Sequence, residues 1–404
     1  MALNFTFAPP SKLVTSFFIV GAFFYLIASI AFFNIDFLNM HYLDPKIVGF
    51  IHIFLLGFMM SVIFGAMYQL ISVVLEIPLY SNQIAYMHLG LFVVSLIPFL
   101  GSFLNGNSFE FLGYGSILLY LSFMLYLTNI FFSVKKVEKK DIKAYFVITS
   151  HIILFIGVTY GLLTSLGLVH NSLGFNSINL AHKHIILVLF GFTGGLIAIM
   201  ATVLLPMFML SHNFNKKISN YLLFGIIATT ISTVFGWFSL AQMLMIATIL
   251  AFSFQLYDIF TKRMRKYLDV YALDMITSGI FLILLALLIP FLHDEKVLKL
   301  FMVFLILGFI SSFIVGHIYK IVPFLVWNKK FAPLVGEQQV PMLSDMVHKK
   351  GSLIEFYTKL ATIVFLTIGI LFHSDILIIL GKILFIINSL LVAGNVIYIF
   401  KYKG

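Results

Sequence analysis

Six of the twelve histidines in this sequence fall inside long apolar segments. An imidazole is expensive to place in such a segment and normally has a function there, because it can bind a metal ion or transfer a proton. These six are His52, His88, His151, His182, His184 and His317. The remainder fall in loops or at segment edges, where they are interpreted as solvated side chains: His41, His170, His212, His293, His348 and His373.

A Gly-Phe pair occurs three times in the sequence. Counting residues from the glycine of each pair, which we call the repeat frame, allows the positions of the histidines to be compared. The pairs are Gly57-Phe58, Gly191-Phe192 and Gly308-Phe309, so the glycines lie 134 and 117 residues apart. A repeat of this size usually indicates a repeated architecture. We therefore predict one membrane domain over residues 1–404, built from three units of roughly four helices each. The approximate unit boundaries are 1–134, 135–266 and 267–404.

The repeat frame predicts two layers of histidines at different depths. His52 and His317 differ by fourteen residues in this frame, or roughly 21 Å along a helix, so they cannot be the two axial ligands of one haem. His52 and His184 differ by two residues, about 3 Å in depth, and therefore suit one iron. His88, His151 and His317 share a second, inner depth. For every one of these histidines the alternative is a hydrogen-bonded core residue.

The pair His182 and His184 has a spacing that limits its chemistry. Residues i and i+2 of a helix point about 200° apart. If this turn is helical, the two imidazoles cannot both hold one ion, although they suit two sites on opposite sides of the helix.

The apolar segments predict an all-α polytopic membrane protein. The chain is 61% hydrophobic and 10% charged, with a mean hydropathy of +1.09. A helix needs about 20 apolar residues to cross a bilayer, and twelve segments meet this requirement. They lie near 13–33, 47–75, 84–104, 111–134, 144–169, 182–210, 219–237, 238–258, 269–290, 298–326, 353–372 and 375–400. No small-residue processing site follows the first segment, so we interpret it as the first span rather than a signal peptide.

The basic residues predict the orientation of these helices. With a cytoplasmic N-terminus, eighteen lysines and arginines fall on the inside and only three or four on the outside. This distribution indicates that both termini lie in the cytoplasm. The membrane that we expect is a bacterial-type cytoplasmic membrane. The net charge of +10 therefore reflects topology and contact with the lipid bilayer, and gives no reason to expect nucleic acid.

The sequence contains no cysteine. Disulfides, thiolate metal sites, iron–sulfur clusters and covalently attached haem are therefore excluded. Any metal must be held by histidine, methionine, carboxylate or a macrocycle.

The sequence resembles subunit I of the haem–copper oxidase superfamily. The resemblance lies in its twelve predicted spans, in their division into three units, and in the histidines on helices 2 and 6 and at the end of helix 10. The segment His52–Phe58 matches the place on helix 2 where that family has an axial haem ligand. Tyr319–Phe324 and Ala181–His184 look most like the divergent short branch of this superfamily, which includes C-type oxidase subunit I and NnrS-type nitric-oxide-tolerance proteins. The resemblance implies a pseudo-threefold ring of four-helix units that encloses haem.

The sequence also departs from that family. Its outer His-x-His of helix 10 is missing from Lys299–Leu307, and its copper-binding pair of helix 7 is missing from 219–237. The resemblance therefore implies one or two b-type haems with the iron held by His52 and His184, without copper and without conventional proton pumping. A copper ion in this fold needs about three converging imidazoles.

Three functional classes follow. The first is a haem-b protein in membrane electron transfer or in nitric oxide or oxygen handling, working with a quinone or another respiratory subunit, as a monomer or a homo-oligomer. Two histidines on iron give an electron carrier, whereas one histidine leaves a face open to a gas ligand. The alternatives are a cofactor-free secondary transporter and a structural or assembly subunit of a respiratory complex.

The orientation can be tested by mapping the accessibility of inserted tags. We expect tags in 135–143 and 262–266 to be protected in intact cells, because these basic segments are predicted to be cytoplasmic. Labelling of either segment from outside the cell contradicts the predicted orientation.

Overall fold

The structure is a computed structural model that describes residues 7–104 and 109–403. Over these residues the chain is almost entirely helical, and the regular elements are helices joined by short loops. We number the long helices α1 to α12 in chain order: Ser11–Phe33, Pro45–Val74, Asn82–Leu104, Phe109–Val134, Ile142–Val169, Ser177–Met209, Ile218–Val234, Phe238–Thr261, Val270–Leu288, Glu295–Lys330, Lys349–Phe372 and Asp375–Lys401.

The prediction of a polytopic helical membrane protein is confirmed at this level. Within the described ranges, eleven helices are long and apolar enough to cross a bilayer. The exception is α7, which has 17 residues and is shorter than the others. Its extent agrees with the predicted 219–237 segment, so the predicted division of 219–258 into two helices is correct.

The division between α7 and α8 depends on Gly236. This glycine has a φ of +79°, a left-handed conformation that glycine adopts without steric cost. The Trp237 N–H donates to the Ser232 carbonyl at 2.8 Å, and the Gly236 N–H donates to the Thr233 carbonyl at 3.1 Å. These two bonds form a Schellman motif that ends α7 and allows α8 to begin at Phe238.

Short acidic and amide side chains begin five of the helices. Asp44, Asn176 and Asp294 precede α2, α6 and α10, and each accepts a hydrogen bond from a backbone N–H of the first turn. Asp141 and Asp269 do the same for α5 and α9. Such caps satisfy N–H groups that have no partner inside the helix.

The three Gly-Phe pairs all lie in π-helical segments in the middle of long helices. These segments are Ile53–Met60 in α2, Ile186–Gly194 in α6 and Phe304–Ser311 in α10. π-Helical turns are rare, and they frequently occur at functional sites. The sequence repeat therefore coincides with a repeated and unusual backbone conformation.

Each π segment also receives a side chain from the helix before it. A Cβ atom added to Gly57 would overlap the Phe24 side chain of α1, and one added to Gly308 would overlap the Phe281 ring of α9. A Cβ added to Gly191 would lie 2.6 Å from Ile153 Cγ2 of α5. Glycine is needed at these three positions because the neighbouring side chain fills the space of its missing Cβ.

The described helices divide into two compact units. Among the described residues, unit 1 contains 7–9 and 68–266, and unit 2 contains 10–67 and 267–403. In unit 1, α3 packs along α4 and α7 along α8; in unit 2, α11 packs along α12. Each unit has a core of buried aromatic and aliphatic side chains, with apolar side chains also on its exterior.

We expect Gly308→Ala to lower the free energy of unfolding by about 1–3 kcal/mol, because the added methyl group must displace the Phe281 ring. The measurement is the thermal unfolding midpoint of the purified protein in detergent. Gly279→Ala is the matched control, since its Cβ would meet nothing within 4 Å. Equal midpoints for the two variants would contradict this account of the π segment.

Candidate functional sites

His52 is the last residue of α2 before its π segment, and its side chain is half-buried. Its Nδ1 lies 2.8 Å from the Val48 carbonyl oxygen. Because a carbonyl oxygen only accepts, Nδ1 must donate, and in the neutral imidazole Nε2 then holds the lone pair. Metal-binding histidines commonly donate one ring N–H to a backbone carbonyl in this way.

His184 has the same arrangement through a different helix. It lies two residues before the π segment of α6, and its Nδ1 donates to the Gly157 carbonyl of α5 at 2.8 Å. Its ring also packs against Gly161, where an added Cβ would lie 2.8 Å from the ring. The imidazole is thus oriented by its hydrogen bond to the carbonyl and by packing against the glycine, and Nε2 is its lone-pair nitrogen.

His182 faces another neighbour. The turn that contains both histidines is regular α-helix, Ser177–Ile185. The His182 side chain is exposed, and its ring centroid lies 6.2 Å from that of Phe238 of α8. The prediction that His182 and His184 point to different sides of the helix is therefore confirmed.

His151 of α5 is fully buried and uses both ring nitrogens. Nδ1 donates to the Val147 carbonyl at 2.6 Å, and Nε2 therefore accepts from the Tyr126 hydroxyl at 2.9 Å. This assignment fixes a single neutral tautomer.

His88 of α3 lies beside the same tyrosine. Its Nδ1 is 2.9 Å from the Tyr68 hydroxyl, and its ring centroid is 5.3 Å from that of Tyr126. The rings of Tyr68 and Tyr126 meet edge to face at 5.7 Å. His88 and His151 therefore belong to one buried cluster of two histidines and two tyrosines in unit 1.

His317 of α10 is buried in unit 2 with a tyrosine of its own. Nδ1 donates to the Phe313 carbonyl at 2.7 Å, and Nε2 lies 3.4 Å from the Tyr271 hydroxyl of α9. The imidazole also stacks on the Phe313 ring at 4.4 Å. Like the two buried histidines of unit 1, His317 is bonded to a tyrosine of a neighbouring helix.

The three inner histidines therefore have the contacts of hydrogen-bonded core residues. Coordination of a metal by His151 or His317 would require its tyrosine to leave Nε2. Among the described residues, no group of three or more histidine and acidic side chains converges in a way that could hold a metal ion.

Unit 2 also contains a buried ionic cluster that the sequence did not single out as a site. Lys359 of α11 is 1% exposed, and its Nζ lies 2.6 Å from Asp274 Oδ1 of α9. The same ammonium is 3.5 Å from Glu355 Oε1, one turn earlier on α11. Both carboxylates are fully buried. Ionisable side chains in transmembrane helices are rare and usually mark a functional site.

Neutral polar side chains surround Glu355. Asn388 of α12 donates to its Oε1 at 2.8 Å, and the Tyr319 hydroxyl of α10 donates to its Oε2 at 3.3 Å. Asn395 donates to the Tyr319 oxygen at 2.9 Å. The Tyr25 hydroxyl donates to the Asn388 side-chain oxygen at 2.9 Å, which extends the network to α1.

The clusters of the two units share one pattern. In both, a tyrosine eleven residues after a Gly-Phe glycine bonds to an ionisable side chain on the next long helix and lies beside an asparagine of the helix after that. The members are Tyr68, His88 and Asn129 in unit 1, and Tyr319, Glu355 and Asn395 in unit 2.

Sequence inspection distinguished some of these groups poorly. Glu76 and Asp274 both lie at the predicted cytoplasmic end of an apolar segment, yet Glu76 is exposed whereas Asp274 is fully buried. A usable signal was present: Glu355 and Lys359 are spaced i, i+4 inside the predicted 353–372 segment. Such spacing places both charges on one face of a helix.

A small cavity lies next to α2 in unit 2, and His52 is not among the residues that line it. It is apolar, has a volume of about 10 Å³, and is lined in part by Phe50, Ile51 and Val303. Ligand sites usually enclose about 300–1,000 Å³. This cavity therefore cannot contain a porphyrin.

No family model matches this sequence, and comparison with curated proteins finds no match.

We expect Tyr126→Phe to destabilise the protein by about 1–3 kcal/mol, because it leaves the buried Nε2 of His151 without its hydrogen-bond donor. Thermal unfolding in detergent measures this loss. Tyr114→Phe is the control, since Tyr114 is 70% exposed. A Tyr126→Phe protein as stable as the control would show that this hydrogen bond contributes nothing.

Proposed function

We propose that this chain is a haem-b-binding membrane protein, similar in fold to subunit I of the haem–copper oxidase superfamily and without the copper centre. The proposal rests on the sequence resemblance and on one structural observation. His52 and His184, the two histidines predicted as axial ligands, each donate Nδ1–H to a backbone carbonyl and keep Nε2 as the lone-pair nitrogen. Each imidazole, taken by itself, has the tautomer of a haem ligand.

The fit extends to the donor atoms and not to the small cavity next to α2, which His52 does not line. A porphyrin bound to His52 would have to lie against another face of α2 or displace the side chains that line this cavity. His182, which is exposed, is the alternative ligand on α6. The inner histidines are the predicted second layer, and their bonds to tyrosine favour a packing role.

The proposed architecture is twelve spans in a pseudo-threefold arrangement. It is supported by the three π segments and by the matching contacts of Phe24, Ile153 and Phe281 with the π-segment glycines. The 17-residue α7 is the twelfth span. At about 1.5 Å per residue it covers roughly 26 Å, which is close to the thickness of the hydrocarbon core.

The proposed role is electron transfer, or handling of nitric oxide or oxygen, in a bacterial-type cytoplasmic membrane with both termini inside. A bound haem would supply one-electron chemistry, or a site for a gas ligand if one of its faces is open. Proposed partners are a quinone or another respiratory subunit. The chain's own contribution is to hold each imidazole in one tautomer and orientation.

A secondary transporter without cofactor is the competing proposal, and one observation favours it. The buried cluster of Asp274, Glu355 and Lys359 has the composition expected of a proton or ion pathway through a membrane. An assembly subunit needs neither haem nor such a cluster.

The haem proposal is tested by the optical spectrum of the purified full-length protein. We expect a Soret band and a sharp reduced α-band, and we expect His52→Ala to remove or shift them because loss of an axial nitrogen changes the spin state of the iron. A His182→Ala, His184→Ala double variant should have a comparable effect. Spectra unaffected by both changes would refute the assignment.

A milder variant tests the position of His184. Gly161→Ala places a methyl group 2.8 Å from the His184 ring and should shift the spectrum without removing any ligand. Gly90→Ala is the control, because its Cβ would have no neighbour within 4 Å.

A further inference from the structure

The ionic cluster of unit 2 contains one more acid than base. Asp274 and Glu355 are 0% exposed and Lys359 is 1% exposed, so the three groups sum to a charge of −1 when all are ionised. An uncompensated charge is costly in a dry protein interior, and a buried group usually avoids this cost by binding a proton. The cluster therefore needs one more positive charge.

The two carboxylates differ in how well their ionised form is stabilised. Glu355 accepts from Asn388 and Tyr319 and lies 3.5 Å from Lys359, so both of its oxygens have donors. Asp274 Oδ1 accepts from Lys359, whereas Oδ2 is buried with no hydrogen-bond partner among the described residues. Hydrogen bonds to a carboxylate favour its charged form. The proton therefore belongs on Asp274 Oδ2.

The repeat frame shows that packing alone does not require a carboxylate here. Asp274 lies seven residues before Phe281, which contacts the π-segment glycine of α10. The equivalent positions before Phe24 and Ile153 are Phe17 and Phe146, both fully buried. The third repeat alone has an acid, and it has Lys359 beside that acid.

Space around Asp274 is provided by Gly316 of α10. A Cβ added there would lie 3.0 Å from Asp274 Cβ and 3.5 Å from Oδ2. Gly316 therefore leaves the unpartnered oxygen next to a backbone without a side chain. A proton needs no more room than this.

The other titratable groups nearby do not supply the missing charge. The phenols of Tyr25 and Tyr319 are neutral donors in this network. Lys320 lies 2.7 Å from Asp269 and is paired with it. The groups of α12 that enter the network are amides.

We propose that Asp274, Glu355 and Lys359 form a proton-binding site, which takes one exchangeable proton from water and holds it on Asp274 Oδ2. In this state Lys359 is an ammonium, Glu355 is a carboxylate and Asp274 is a neutral acid, so the cluster is uncharged. Release of the proton leaves the cluster at −1. The site does not depend on haem, and it applies equally to the competing transporter proposal.

Infrared difference spectroscopy of the full-length protein in sodium-free buffer at neutral pH tests the site. We expect the C=O stretch of one protonated carboxylic acid, with a downshift in D2O because the proton exchanges. Labelling the aspartate side-chain carboxyls with ¹³C should shift this band, and labelling those of glutamate should not. This measurement needs no variant, so it stands even if a substitution prevents folding.

Three isosteric or near-isosteric variants test the charge count. The number of bound protons should equal the carboxyl groups minus the ammonium groups. Asp274→Asn and Glu355→Gln should therefore each abolish the band, whereas Lys359→Met should double it. Thermal unfolding of each variant verifies that it is folded.

The alternatives give different results. Absence of the band from the wild-type protein, or a shift with labelled glutamate, overturns the proposal. Loss of the band when sodium is added identifies a monovalent cation as the ligand and also overturns it. Failure of the haem test leaves all these expectations unchanged, so the two proposals fail separately.

Discussion

The hydrocarbon interior of a bilayer provides no hydrogen bonds, and the polar groups of this chain are arranged around that constraint. Hydroxyl side chains bond back to their own helix, as Ser116 does to the Leu112 carbonyl at 2.6 Å and Thr233 to the Thr229 carbonyl at 2.8 Å. Lysine side chains reach backbone carbonyls of loops and of the last turns of helices, as Lys299 does to Leu38 at 2.7 Å and Lys183 to Val234 at 2.8 Å. Other polar groups bond between helices, and among the described residues several buried serine and threonine hydroxyls have no hydrogen-bond partner.

The groups that bond between helices form the same arrangement in both units, but the ionisable side chain in it differs. The tyrosine and the asparagine are the same in both units, and the ionisable partner changes from His88 to Glu355. A neutral imidazole can be buried at moderate cost, because one nitrogen donates and the other accepts. A carboxylate can be buried only with compensating charge and donors. The exchange of one side chain thus explains why unit 2 also contains a buried lysine.

The sequence allowed the membrane class and the helix positions to be predicted, because apolar segments and basic loops are direct consequences of the lipid environment. The predicted 182–210 and 298–326 segments are in fact longer, Ser177–Met209 and Glu295–Lys330. Their first turns are amphipathic and fall outside a hydropathy-based boundary.

The π-helical backbone and the partners of the inner histidines could not be predicted in this way. A π segment has the composition of an ordinary apolar helix, and its Gly-Phe pair indicated only a repeat. The tyrosine partners of His151 and His317 lie 25 and 46 residues away in sequence. Predicted depth in the membrane placed His88, His151 and His317 in one group, whereas in the structure the first two belong to unit 1 and His317 to unit 2. The pairing of Lys359 with Asp274, 85 residues apart, is also a result of tertiary packing.

The helices that contain π segments are longer than the hydrocarbon core of a bilayer is thick. These helices have 30, 33 and 36 residues, whereas α1 has 23. A purely α-helical segment of 30 residues would extend about 45 Å, well beyond a hydrocarbon core of about 30 Å. Such helices tilt or project into the headgroup region. His52 and His184 each lie in the eighth position of their helices, roughly 11 Å along the axis from the first residue. They are therefore near the boundary between hydrocarbon and headgroups if that boundary crosses the first turns of these helices. A thinner or thicker bilayer would move that boundary along the helix and change the exposure of these imidazoles to water.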